Sequence, residues 1–173
     1  MIVGEALSGT TNRATLRPSR RQATNGGSMR RGFMGGVMVL LTSCGAAAQV
    51  AMAPQSQDAA GKQFSPPPAG MAAVYFYNPL TTGPVINVFE GPVAIGQLGP
   101  MTWMRIETSP GWHAMRCVTP DAVNPTSIIV APGDMRFVEV DRPPGAPVCT
   151  IQEAGTDAGR AGVLAGSRAL QPQ

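Results

Sequence analysis

The sequence predicts an all-β fold: a small antiparallel β-sandwich of about seven or eight short strands, set behind an export signal and a flexible linker. Three observations predict it. Between Met71 and Glu153, short runs of β-branched and aromatic residues recur. Turn signals built on Pro, Gly, Asn and Asp separate them roughly every 8–12 residues. Several runs alternate in polarity, as in Thr102–Thr108, where Met104 and Ile106 oppose Arg105 and Glu107. The region is long enough for one domain with a modest core.

The strands follow in order. Ala73–Tyr77 is β-branched and aromatic, and Asn78-Pro79 ends it. Val85–Phe89 follows the Thr82-Gly83-Pro84 loop, and Val93–Leu98 returns after Glu90-Gly91-Pro92. Thr102–Thr108 and Trp112–Val118 flank Ser109-Pro110-Gly111, a tight-turn signature, and are expected to pair as a hairpin. A polar loop is expected from Thr119 to Thr126. Strands then follow at Ser127–Val130, Met135–Val140 and Val148–Gln152. From Ala154 the chain turns to Ala and Gly, and each interior Gly costs a helix about 1 kcal/mol relative to Ala. Residues 154–173 are therefore expected to form a frayed short helix or a tail, with Val163, Leu164 and Leu170 available to dock it.

Ahead of the domain, Met29–Ser43 has the layout of a lipoprotein signal peptide. Arg30 and Arg31 form a positive head, Phe33–Leu41 a short apolar core, and Leu41-Thr42-Ser43-Cys44 a lipobox. The apolar run is too short to span a bilayer, which needs about 20 residues. The expected consequence is lipid attachment at Cys44 and cleavage before it. No Asp follows Cys44, which favours an outer-membrane lipoprotein facing the periplasm over an inner-membrane or plainly secreted protein. Met1–Ser28 is basic and lacks apolar periodicity, so it reads as disordered or as preceding the true start at Met29. Residues 44–70, rich in Pro and Ala, read as a tether stiffened by Pro66-Pro67-Pro68.

The charge balance is set by the leader. Six of 13 basic and one of 10 acidic residues precede Cys44, so the remainder carries seven against nine, a net charge of −2. That excludes a basic nucleic-acid interface.

The chemistry-bearing residues are few. With Cys44 assigned to lipid, Cys117 and Cys149 remain, and an exported small domain gains from pairing them. A crosslink closing about 30 residues contributes on the order of 3–4 kcal/mol. A reactive Cys117 thiol with His113 as base is the alternative, but the two lie about 13 Å apart along a strand. His113 is the only histidine, there is no Gly-x-Ser-x-Gly elbow and no spaced ligand set, so no catalytic residue, metal or cofactor is expected. Asp134, Glu139 and Asp141 read as a solvated strand face rather than a hydrolytic or calcium site. Trp103 and Trp112 read either as a packed pair or as a carbohydrate-stacking surface.

Four segments carry a resemblance: VYFYNP (Val74–Pro79), VFEGPVAIGQL (Val88–Leu98), SPGWHAMRC (Ser109–Cys117) and VAPGDMRFVEV (Val130–Val140). Their strand and turn pattern resembles a family of short bacterial lipoprotein domains of unknown function and looks like PEGA-type β-modules. The resemblance implies a sandwich fold and an envelope location, and it implies no activity. The expected function is a lipid-anchored envelope module, without catalysis, that binds a protein or cell-wall partner. The alternatives are an envelope enzyme or thiol-redox protein using Cys117 and Cys149, and a carbohydrate-binding module using Trp103 and Trp112.

Overall fold

Strand β1 (Ala72–Asn78) is buried at every one of its seven positions. A strand covered on both faces has to lie between two packed layers. The computed structural model describes residues 49–172 and shows what those layers are. The signal segment and Cys44 lie outside the described residues.

The remaining strands are β2 (Ile86–Glu90), β3 (Val93–Leu98), β4 (Thr102–Thr108), β5 (Gly111–Thr119), β6 (Ala122–Val130), β7 (Met135–Asp141), β8 (Thr150–Ala154) and the short β9 (Ser167–Arg168). They form a five-stranded sheet, ordered β8-β7-β1-β4-β9, and a four-stranded sheet, ordered β3-β2-β5-β6. The two sheets enclose a dry core. Val74 and Phe76 from β1, Met104 from β4, and Val138 and Val140 from β7 meet Ile86, Val88, Leu98, Met115 and Ile128. The fold is the expected β-sandwich, with two differences in pairing. β1 and β7 run parallel, as do β4 and β9.

The second difference concerns Ser109-Pro110-Gly111. It does not close a hairpin. β4 pairs with β1, from Ala72↔Thr108 to Asn78↔Thr102. β5 pairs with β2 on one side and β6 on the other. A Pro-Gly turn fixes a reversal, not a lateral partner. Here it carries the chain from one sheet to the other, with Gly111 at φ 136°. The true hairpin is β5–β6, which extends through the segment expected as a polar loop. Pro125 sits within β6 because β6 is an edge strand, where a missing N–H is tolerated.

The outer face of the five-stranded sheet is covered by both flanking segments. Helix α1 (Gln55–Gly61) lies within the stretch expected as a tether, and helix α2 (Thr156–Ala165) within the Ala/Gly-rich tail. Between them and the sheet lies a second apolar cluster of Tyr75, Tyr77, Trp103, Phe137 and Val163, with Phe64 packed against it. Tyr75 stacks on Phe137 with ring centroids 5.3 Å apart, and Phe64 meets both at 5.4 and 5.9 Å. The glycines that weaken these helices as isolated elements are what lets them dock. A Cβ at Gly159 would overlap the Phe137 ring, at Gly162 the Tyr77 ring, and at Gly61 the Trp103 ring. Of the three apolar residues expected to dock the tail, Val163 is fully buried, while Leu164 and Leu170 stay exposed.

Polar contacts lock α1 in place. Asp58 Oδ1 accepts from the Trp103 indole N–H at 3.0 Å and from the Arg168 backbone N–H at 2.7 Å. Its other oxygen meets Lys62 at 2.9 Å. Burial alone would raise the Asp58 pKa, but these donors outweigh it and hold the carboxyl below its ordinary value. Tyr75 donates to Gly61 O at 3.0 Å, and Met52 bridges to Ala169 beside β9. No helix among the described residues is long and apolar enough to cross a membrane.

Candidate binding face

Side chains alternate along β5. His113, Met115 and Cys117 point into the core, so Trp112, Ala114, Arg116 and Val118 point outward. Across the β5–β6 ladder, Trp112 faces Ile129, Ala114 faces Ser127, Arg116 faces Pro125 and Val118 faces Val123. Directly opposed residues have Cβ atoms about 4.5–5.5 Å apart, so these pairs form two continuous rows of outward side chains. Nothing among the described residues lies over them. Trp112 is 65% exposed, Ile129 68% and Val123 59%, large values for apolar side chains paired across a ladder. A concavity of about 540 Å³ opens here, lined by Gly91, Trp112, Arg116, Pro125 and Ser127 among others.

Arg116 is the one charged side chain in those rows. Its guanidinium lies over the Phe89 ring, 4.6 Å from the centroid, and its Nε is buried with no hydrogen-bond partner among the described residues. A buried donor without an acceptor costs about 1–3 kcal/mol.

β6 also borders open space. Its first turn is tied down, since Asn124 donates to Cys149 O at 2.9 Å. Beyond it, Thr126–Val130 has no hydrogen-bonded strand on its outer side, where β8 of the other sheet is its nearest strand, and it carries no charge. Uncharged edges are open to pairing with another chain.

Beneath this face, at the Trp112 end, His113 is 6% exposed and holds two acceptors. Its Nδ1 lies 2.5 Å from Glu90 Oε1 and its Nε2 2.8 Å from Ser109 O. A carbonyl and a carboxylate only accept, so the ring satisfies both when doubly protonated. Burial pulls the His113 pKa down, but the Glu90 hydrogen bond, the Ser109 carbonyl and the Glu90 charge together raise it above 6.5. His113 thus ties the β2 end to the β4–β5 connection.

The other singled-out residues fall as follows. Cys117 and Cys149 form a disulfide with an S–S distance of 2.08 Å and a Cα–Cα distance of 6.2 Å, linking β5 to the chain just before β8. Both are fully buried, and as a disulfide neither leaves a free thiol for His113. Trp103 and Trp112 do not come together. Trp103 is sealed under α1 on the five-stranded sheet, and Trp112 stands on the four-stranded one. The paired stacking surface and the packed pair both required the β4–β5 hairpin, which does not form. The acidic residues are dispersed. Glu139 accepts from the Tyr77 hydroxyl at 2.8 Å, Asp141 from Thr150, and Asp134 caps the Ala131 N–H and meets Arg136. The Tyr77 hydroxyl is pushed well above its usual range by burial and by Glu139. Asp121 is held at about 2, chiefly by its paired hydrogen bonds with Arg142. Among the described residues no three His, Cys, Asp or Glu gather as a metal set. Arg116 and the β6 edge were missed from the sequence. Side-chain parity would have found Arg116, because an inward Cys117 forces it outward, whereas the β6 edge follows only from the strand order.

No family model, curated protein or solved structure matches the chain.

Proposed function

We propose that this protein is a lipid-anchored binding module of the bacterial cell envelope, and that it holds an extended polypeptide segment along β6. The carrying observation is the bare outer face of the β5–β6 pair, with apolar side chains exposed at both ends, Trp112 and Ile129 at one and Val123 at the other, and with an uncharged strand edge beside it. Strand addition supplies main-chain hydrogen bonds from the edge and side-chain pockets from the face. An extended segment brings both. Its amides pair with Thr126–Val130, alternate apolar side chains lie against Trp112 and Ile129, and one acceptor meets the outward, half-buried Arg116 guanidinium. A glycan would meet a single exposed tryptophan and no row of sugar-facing polar groups. The anchor reading rests on the Met29–Cys44 pattern, and the resemblance to short lipoprotein domains agrees with it.

The test selects binders from a random-peptide library and maps hydrogen exchange with and without a selected peptide. The reading expects slowed exchange at Thr126–Val130. It also expects Trp112→Ala or Arg116→Gln to weaken the peptide by about 2 kcal/mol or more while the fold persists. Selected peptides that leave β6 exchange unchanged would overturn it. So would concentration-dependent dimerisation that protects β6 without peptide, since the occupant would then be a second copy.

A further inference from the structure

The register of the sheets gives the domain two distinct ends. β1 ends at Asn78, opposite the start of β4 at Thr102. β3 enters that same end through Gly99-Pro100-Met101, and β2 begins there, with Ile86 opposite Leu98. The chain also enters the domain at this end. Ala53 N–H donates to Arg168 O, Leu170 N–H donates to Ala51 O, and a Cβ on Gly99 would come within 3.1 Å of Val50. The opposite end holds Thr108, the start of β5 and the end of β6, hence Trp112 and Ile129. The seven residues of β4 separate the two ends, about 20–23 Å at the usual rise per residue.

This geometry matters because of where Cys44 falls. Five peptide units join Cys44 to Gln49, the first described residue, and an extended chain covers at most about 3.3–3.6 Å per residue. A lipid on Cys44 therefore sits within about 18 Å of the entry end, less than the length of the domain itself. Of the residues expected as a tether, α1 is folded onto the five-stranded sheet and held there through Asp58. The entry end also exposes two large apolar side chains, Met52 and Leu170, on neighbouring backbone.

Resting on the anchor reading above, we propose that the domain stands on the bilayer on its entry end. Met52 and Leu170 contact the lipid interface, and the Trp112–Ile129 end of the binding face points away from the membrane. The short leash confines rotation, and the two apolar side chains choose the end that touches. A partner strand is then captured from the aqueous side and not from the lipid surface.

The test uses the full-length lipidated protein in vesicles of phosphatidylethanolamine and phosphatidylglycerol containing a headgroup-nitroxide lipid. Leu170→Cys and Ile129→Cys, each labelled with a fluorophore without reduction, report the two ends. The expected result is severalfold stronger quenching at position 170 than at 129. A Gly/Ser insert of 20 residues, or roughly 25 Å of added reach, between Ala46 and Ala47 should abolish the difference. Equal quenching at both positions, or stronger quenching at 129, in protein whose intact mass shows acyl chains on Cys44 overturns the orientation and leaves the anchor standing. An intact mass without acyl chains overturns both.

Discussion

The two outer faces of this sandwich differ in what the chain does with them. Over the five-stranded sheet, the segments before and after the domain return as α1 and α2 and bury Tyr75, Tyr77, Trp103 and Phe137. Over the β5–β6 half of the four-stranded sheet nothing among the described residues returns, and Trp112, Ile129 and Val123 stay in water, while Leu170–Pro172 lie beside Asn87 and Gln97 of β2 and β3. The covered face presents four aromatic rings, while the open one mixes Trp112, Ile129 and Val123 with Arg116 and Ser127, so strand chemistry is part of the difference but does not by itself seat a helix. Glycine does: Gly61, Gly159 and Gly162 are seated on aromatic rings, and close approach there turns weak helices into a lid. A small domain with a modest core gains a second apolar layer on one side and leaves the other side free for a partner.

The largest test of this contrast is the pair of tryptophans. Trp103→Ala removes a fully buried ring and the donor that holds Asp58, and should cost about 3–5 kcal/mol in urea unfolding with the disulfide intact. Trp112→Ala, on the bare face, should stay within about 0.5 kcal/mol. Similar losses at both sites would erase the distinction between the faces.

Next in size are the glycine seats. In an exposed helix, Gly→Ala stabilises by about 0.5–1 kcal/mol. At Gly159 and Gly162 the sign should reverse, with each Ala costing about 1–3 kcal/mol because the new Cβ meets a ring. Denaturant midpoints check this, and a gain in stability at either position would mean that α2 does not sit on the sheet.

A smaller effect separates the faces by pH. The His113 pKa is raised in the folded state, so its contribution is fully present below the unfolded value of 6.5 and is lost as pH rises through the folded value. Stability should therefore fall over that window in the native protein, and His113→Gln should remove the fall. Because His113 lies under the Trp112 end of the four-stranded sheet, the loosening should appear as faster exchange at the start of β5 and not in β1 or α2.

The strands were legible in the sequence because β-branched runs and Pro/Gly turns are local signals. Seven of them stand where alternation and turn residues put them, within a few residues at their ends. Lateral pairing was not legible, since β4 and β5 alternate alike and Pro110-Gly111 specifies only a reversal. Helix α1 was hidden, and α2 was expected only as a frayed short helix or a tail, for another reason. Propensity penalises Gly in the tail and favours no structure in QSQDAAG, whereas their stability comes from tertiary contact with Tyr75, Tyr77, Trp103 and Phe137. The disulfide was legible from the cysteine count together with the expectation of export. The binding face required knowing which way Cys117 points.

The most direct measurement is residue-resolved hydrogen exchange on the intact, disulfide-bonded protein. The α2 amides should exchange in step with β1 and β7, as one cooperative layer, while Thr126–Val130 exchanges faster along its open edge. Fast, unprotected exchange in α1 and α2, with β6 as slow as β1, would contradict it.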